Sequence, residues 1–393
     1  MNEVRPDEAN DAPFDTAALD ALLEAEGIDV LVATSKHNVQ YLLGGYRFCF
    51  FDYMDAIGVS RYLPVMVYQK GHPDSSAYIG CHLESHEKQL GKFWPRIVET
   101  TSRNSISAIQ RAVEHIRGLP GRIGKVGVEA SFLPWDSAKL LQDGLNNCQI
   151  VNAHFPLERL RARKTKTELT KLRAASERVL ASMLAVFNGC APGQTKLELV
   201  ERLRREEVER GLTFEYCLMS AGTSFNRAPS DQRLESGDIF SLDSGGNYKG
   251  YIGDLCRMGI LREPDAELVD LLGVIEEIQQ RARRPIRRGA AGAEIFAAAR
   301  ELVDASSHRV YLDFVAHGMG LVSHEAPRLT DYEPWAYEGY DATRPLEADM
   351  VLSIETTMAH PKRGFIKLED TIAVTEVGCV GFGDQGRDWN RAG

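Results

Sequence analysis

Two aspartates, Asp243 and Asp254, lie in apolar, strand-like runs of the segment LDSGGNYKGYIGDLCR, equally far from the Tyr248–Lys249 bond. A turn at that bond makes a hairpin and predicts the two carboxylates directly opposite each other on one sheet face. Cross-strand partners sit ~4.5–5.5 Å apart, and like charges at that spacing are destabilising. The same relation recurs in SIETTMAHPKRGFIKLED, where Glu355 and Glu369 are equidistant from Lys362 in the turn Pro361-Lys362-Arg363-Gly364. Their Ile-Glu and Leu-Glu contexts are poor places for a merely decorative charge.

Gathered together without a counter-charge, these carboxylates would have strongly raised pKa values at a penalty on the order of several kcal/mol. Two divalent cations would neutralise them. The segment AHGMGLVSHEAP supplies an imidazole, His317, and a second, His324. The small residues Ala316, Gly318 and Gly320 are expected to let backbone approach a metal centre closely. Oxygen-rich ligation with one imidazole suits manganese, iron, cobalt or zinc, and manganese leads that expectation.

The order and context of Asp243, Asp254, His317, Glu355 and Glu369 resemble the five-ligand dinuclear site of the pita-bread superfamily, which includes aminopeptidase P, prolidase, methionine aminopeptidase and creatinase. Leu22–Gly45, LLEAEGIDVLVATSKHNVQYLLGG, resembles the usual opening of a creatinase-like domain. The resemblance implies an α/β creatinase-like amino-terminal domain over residues 1–160 and an α+β pita-bread catalytic domain over 161–393. It also implies Asp243 on one metal, His317 and Glu355 on the other, Asp254 and Glu369 bridging, and a water or hydroxide between the ions. By the same resemblance Glu355 moves the water's proton, His324 contacts substrate or the developing oxyanion, and the chain forms a homodimer.

Three positions depart from the Xaa-Pro peptidases that this site resembles. A histidine usual before the first aspartate is missing from SFNRAPSDQRLESGD, where Ser230 or Asp231 holds the approximate place. Glu355 is followed by Thr356-Thr357 instead of Pro-Gly, and the arginine usual two before the last glutamate is Lys367. A lysine is a point charge without the bidentate fork of arginine. Ser230, Lys367 and His324 are therefore the expected substrate contacts. The expected activity is hydrolysis of an amide or imide C–N bond, an Xaa-Pro dipeptide leading. The alternative is a metal-dependent lyase or amidohydrolase acting on a small compatible solute. A binding module without catalysis is disfavoured, because such members lose ligands.

The elements that must carry these residues follow from periodicity. Residues 16–26 repeat apolar positions at three and four before Gly27, predicting a helix that feeds a strand at 28–32. Helix and strand signals alternate to residue 128, and beyond about 165 helical stretches at 197–211, 265–284 and 292–305 mix with paired strands. The basic run Arg161, Arg163, Lys164, Lys166 is read as a solvated helix start or linker. The aromatic run Tyr46–Tyr53 is a candidate lid or subunit contact, with core packing the competing reading.

Composition narrows the classes further. The 393 residues carry a formal charge of -10, unsuited to holding a polyanion, so nucleic acid is not an expected partner. No apolar run approaches a membrane span, and the acidic, polar amino terminus lacks a secretion signal. Seven scattered cysteines without a Cys-x-x-Cys pair read as reduced, buried thiols of a cytoplasmic protein.

Overall fold

The computed structural model describes residues 12–51, 62–330 and 339–391. These fall into two compact units, Met1–Arg161 and Ala162–Gly393.

The first unit is built on a mixed six-stranded sheet in the order β4-β3-β2-β1-β5-β6. Its strands are β1 (Val30–Ala33), β2 (Val65–Gln69), β3 (His72–Cys81), β4 (Ile97–Ser102), β5 (Lys125–Val128) and β6 (Gln149–Asn152). The helices are α1 (Thr16–Ala25), α2 (Lys36–Leu42), α3 (Ser85–Gln89), α4 (Ser105–Arg117), α5 (Trp135–Gly144) and α6 (His154–Leu160). The Asp15 carboxylate caps α1 by accepting from the Ala18 amide at 2.9 Å, and Gly27, at φ +64°, ends it. β1 is apolar throughout because both its faces are buried. Leu31 and Ala33 enter one core with Leu19 and Leu23 of α1, and Val30 and Val32 enter another with Ala108 and Ile109 of α4. Phe48 and Phe51 pack in the first of these cores with Tyr46 and Phe50 against it, so these rings serve packing. Asp52 and Tyr53, the end of the aromatic run, lie outside the described residues.

The second unit holds α7 (Lys166–Phe187), α8 (Lys196–Glu209), α9 (Ala266–Arg283) and α10 (Gly292–Ala305). Its strands are β7 (Thr213–Leu218), β8 (Ile239–Tyr248), β9 (Tyr251–Ile260), β10 (Leu312–Gly318), β11 (Val351–His360), β12 (Gly364–Val374), β13 (Cys379–Phe382) and β14 (Asn390–Arg391). The sheet path is β10-β11-β12-β9-β8-β7, with β13 on β12 and β14 on β9. Side chains alternate across it. Leu242, Leu255, Ile354 and Leu368 point to the apolar clusters shared with α7 and α9, which turns their neighbours Asp243, Asp254, Glu355 and Glu369 to the opposite face.

The strand registers divide the expected hairpins. Glu355 does pair directly with Glu369. Asp243 and Asp254 do not pair: Tyr248 opposes Tyr251, so Asp243 faces Cys256 and Asp254 faces Gly245. The turn centres on Lys249 and Gly250, both at positive φ (52° and 94°), the two-residue geometry that matches strand twist. Asn247 Oδ1 accepts from the Gly250 amide at 2.7 Å and pins it there. The offset is two residues, so both aspartates keep the same face and sit diagonally. Glu369 also pairs with Cys256, which puts Asp243, Cys256, Glu369 and Glu355 in one row across four strands.

The basic run is only half solvated: Arg163 and Lys166 are exposed as expected, whereas Arg161 and Lys164 are buried. α7 begins at a Thr165–Glu168 capping box, after which the chain is regular to Phe187. Before it, Arg161 is 2% exposed and bonded to Asn38, and Lys164 is 3% exposed in an ion pair with Glu325 at 3.2 Å. Buried carboxamide and carboxylate partners account for the two that looked like surface charges and are not. Among the described residues, no helix is long and apolar enough to cross a membrane.

Candidate metal centre

One face of the second unit's sheet gathers two groups of donors, Asp243–Asp254–Glu369 and His317–His324–Glu355, whose ligand atoms lie within 4.8 Å of one another in each group. Both groups line or adjoin a cavity of about 510 Å³ walled by Tyr216, Leu218, Arg227, Asp243, Asp254, Ser323, His324, Glu355, Lys367 and Glu369. Register explains the gathering. His317 on β10 opposes Ser353, two residues before Glu355, and so shares its face.

The candidate donors are held by neighbours. His317 Nδ1 lies 3.1 Å from the Gly318 carbonyl oxygen, which can only accept, so Nδ1 carries the proton and Nε2 faces Glu355 Oε1 at 3.2 Å. Tyr216 donates its hydroxyl to Asp254 Oδ2 at 2.6 Å, and Ser353 donates to Glu369 Oε1 at 2.8 Å. The Tyr216 ring reaches Asp254 because the residue opposite that aspartate is Gly245, where a Cβ would come within 2.4 Å of the ring. The small size of Gly318 serves packing of the loop after β10, because a Cβ there would strike the Pro327 nitrogen at 2.3 Å.

The acids are buried and short of positive charge. Burial, then the charges of Glu369 and Asp243, hold Asp254 well above the ordinary aspartate range. Burial and the Glu355 charge push Glu369 up to about 7. For Glu355 burial acts in the same sense, but Lys367 and His317 outweigh it and its pKa is depressed. Burial opposes protonation of His317, yet the bond to Glu355 and the surrounding acids raise it. His324 stacks on His317 with ring centroids 3.8 Å apart and stays neutral, its pKa lowered by desolvation and by that neighbour. A set of four carboxylates and an imidazole, with Asp254 and Glu369 driven upward by burial and by neighbouring carboxylates, fits divalent metal ions.

The expected substrate contacts fare differently. His324 is at the cavity wall. Ser230 is not among the lining residues: its carbonyl accepts from the Leu197 amide at 3.0 Å and its hydroxyl from the Gln232 amide at 3.4 Å, so both oxygens serve the local turn. The residue of that turn which faces the cavity is Arg227, with its guanidinium on Asp243 and 4.8 Å from the Phe365 ring centroid. Lys367 lines the cavity, but its ammonium is committed to carboxylates, 2.7 Å from Asp243 Oδ2, 2.5 Å from Glu355 Oε2 and 2.8 Å from Glu369 Oε2. Tyr216 and Arg227 went unread in the sequence. A basic residue in the turn before Asp243 was the available signal for Arg227, whereas nothing local marks the Tyr216 hydroxyl.

A sheet on helices that presents carboxylates and an imidazole to a cavity defines a scaffold with donor groups able to hold metal ions. The chain belongs to metallopeptidase family M24, whose sequence model matches residues 170–376, and the creatinase/prolidase N-terminal domain matches residues 16–163. It is 24% identical over 331 residues to the Xaa-Pro dipeptidase of Pyrococcus horikoshii, covering 83% of this chain and 91% of that one. It is 28% identical over 226 residues to the Xaa-Pro dipeptidase of Pyrococcus furiosus, covering 56% of this chain and 62% of that one. The solved structure of an Xaa-Pro dipeptidase from Bacillus anthracis superposes with TM-score 0.80 over 96% of this chain and 98% of that one, at 21% identity.

Proposed function

We propose that this chain is a metal-dependent hydrolase that cleaves the C–N bond of a small Xaa-Pro dipeptide or a related imide. The observation that carries the reading is the pair of donor groups on one sheet face beside a cavity of about 510 Å³, a size suited to a small substrate. Asp243, Asp254, His317, Glu355 and Glu369 would hold divalent ions, manganese first. Such ions, when bound, supply Lewis-acid polarisation of a carbonyl and a water of lowered pKa.

The chain's own groups do the rest. Glu355 is the most exposed of the candidate carboxylates, at 16%, and stands at the cavity wall, so it is the group placed to accept a proton from the attacking water and return it to the leaving nitrogen. His324, neutral at the cavity wall, offers an N–H to the carbonyl oxygen as negative charge develops there. Tyr216 and Ser353 fix the carboxylates of Asp254 and Glu369 so that neither has to reorient during the reaction. Homodimerisation and a cytoplasmic setting belong to the same proposal, and light scattering of the purified chain tests the first.

A second reading, a lyase or amidohydrolase acting on a small compatible solute, is favoured by one observation: the segment before Asp243 has no histidine and presents the Arg227 guanidinium to the cavity. Assaying metal-loaded protein on Xaa-Pro dipeptides beside small N-acyl and sulfonium solutes separates the two. Release of proline identifies the peptidase. Turnover of a solute with intact dipeptides would replace the primary reading.

A further inference from the structure

The candidate carboxylates come in on two hairpins, β8–β9 and β11–β12, each zipped over ten residue pairs. Among the described residues, β9 and β12 pair with each other at Cys256 and Glu369 alone. The donor group Asp243–Asp254–Glu369, with ligand atoms within 4.8 Å of one another, straddles that seam. Continuing the register away from the single pair sets Thr371 opposite Asp254 and Lys367 opposite Met258, and at both places a side chain spans the gap. The Thr371 hydroxyl donates to the Asp254 carbonyl oxygen at 2.9 Å, and the Lys367 amide donates to the Met258 sulfur at 3.3 Å. At the pair itself, Arg257 Nη1 donates to the Cys256 and Glu369 carbonyl oxygens at 2.8 and 2.7 Å. Thr371, Met258 and Arg257 are completely buried, where main-chain groups need partners. The two strands splay, and side chains make the links that main-chain groups make along each hairpin.

We propose that Thr371 is a positioning residue for metal binding: its hydroxyl sets how far the strand of Asp254 stands from the strand of Glu369, and so holds carboxylates of the two hairpins within reach of one ion. The inference rests on the metal-dependent reading above and deepens it. Thr371 offers no oxygen to an ion, because its hydroxyl proton is spent on the main chain of Asp254. Removing that hydroxyl leaves all the candidate donors in place and alters the tie between their strands. The effect on binding is large for so small a change, because a donor constellation has to be held to within ~0.5 Å of its working geometry. Groups that orient metal ligands from behind carry ~10–100-fold of metal affinity. Valine keeps the shape of threonine and loses the hydroxyl, whereas serine keeps the hydroxyl.

The test is a manganese titration of the chelator-stripped full chain, of Thr371→Val and of Thr371→Ser, with free Mn²⁺ counted by its electron paramagnetic resonance signal and urea unfolding of each protein followed in chelator. Thr371→Val is expected to bind manganese at least ~10-fold more weakly than wild type, and Thr371→Ser to stay within ~3-fold of it. Should the valine variant not fold, Met258→Leu, which takes the sulfur acceptor from the Lys367 amide on the other side of the seam, provides the same comparison. A folded valine variant with lowered urea stability and an unchanged manganese isotherm would mark a purely structural hydroxyl and overturn the proposal, as would a loss that serine does not restore. Failure of wild type to bind manganese would overturn both this inference and the metal-dependent reading, whereas an unchanged isotherm in Thr371→Val of a protein that releases proline would remove this inference alone.

Discussion

Replacing Glu207 by glutamine should leave the protein unchanged below about pH 4.5 and stabilise it increasingly as the pH rises from there to about 7. Glu207, in α8, is fully buried, and desolvation pushes its pKa up to about 7 from an ordinary 4.5. Its Oε1 is 2.8 Å from the Ser244 hydroxyl, while Oε2 has no hydrogen-bond partner among the described residues. The same hydroxyl is 2.9 Å from the Tyr216 carbonyl oxygen, and it has one proton to give. A protonated Glu207 resolves the competition by donating to Ser244 Oγ, which then donates to Tyr216. An ionised Glu207 leaves one acceptor unsatisfied. The folded state therefore keeps a proton that the unfolded chain releases near pH 4.5, and the stability this group contributes is present below that pH and lost as pH rises through about 7. The difference of pKa corresponds to about 3 kcal/mol at the plateau. Glutamine is isosteric, stays neutral and can donate to Ser244 through its amide. Thermal unfolding in chelator from pH 4 to 9 should give coincident midpoints for wild type and Glu207→Gln at the acid end. The variant should become progressively more stable up to about pH 8 and no further. A constant offset at all pH values, or a variant less stable at pH 8, would refute the reasoning about the buried proton.

Glu355→Gln should lower kcat/KM by ~10²–10⁴-fold on whichever substrate is turned over, measured on protein whose manganese content matches wild type. Tyr216→Phe removes the hydroxyl that Asp254 accepts at 2.6 Å and should weaken manganese binding by ~10-fold with the fold intact, read by titration and circular dichroism. Arg257→Met should destabilise the second unit by about 3 kcal/mol in urea unfolding, because Arg257 is completely buried and joins the Cys256 and Glu369 carbonyls to the Asp370 carboxylate.

Much of the architecture is legible in local pattern. The α1 helix shows in its three-and-four apolar spacing, and its end shows in Gly27. The paired long strands of the second unit show in the alternation Leu242-Asp243, Ile354-Glu355 and Leu368-Glu369, because a strand buried against helices on one face and lining a site on the other must alternate. Reasoning from a hairpin's symmetry worked for Glu355 and Glu369 and missed by two residues for Asp243 and Asp254. In the second case the turn is chosen by which residues accept positive φ, and Gly250 draws it one position along. Arg161 and Lys164 look like surface charges in the sequence, since their partners Asn38 and Glu325 are far away along the chain.

By itself, the sequence determined the residue types, their order and the period that turns Asp243, Asp254, Glu355 and Glu369 to one side of their strands. Those follow from covalent neighbours and from the two-residue repeat of a pleated backbone, both local properties. Only the tertiary structure decided what stands beside them. Tyr216 reaches Asp254 over Gly245, Arg227 instead of Ser230 faces the cavity, and Lys367 lies among the carboxylates instead of beside a substrate. Each of these depends on strands far apart in the chain lying next to one another. Charges and hydroxyls act over a few ångströms of space whatever their separation in sequence, so the electrostatics of this centre exist only once β7, β8, β9, β11 and β12 are side by side.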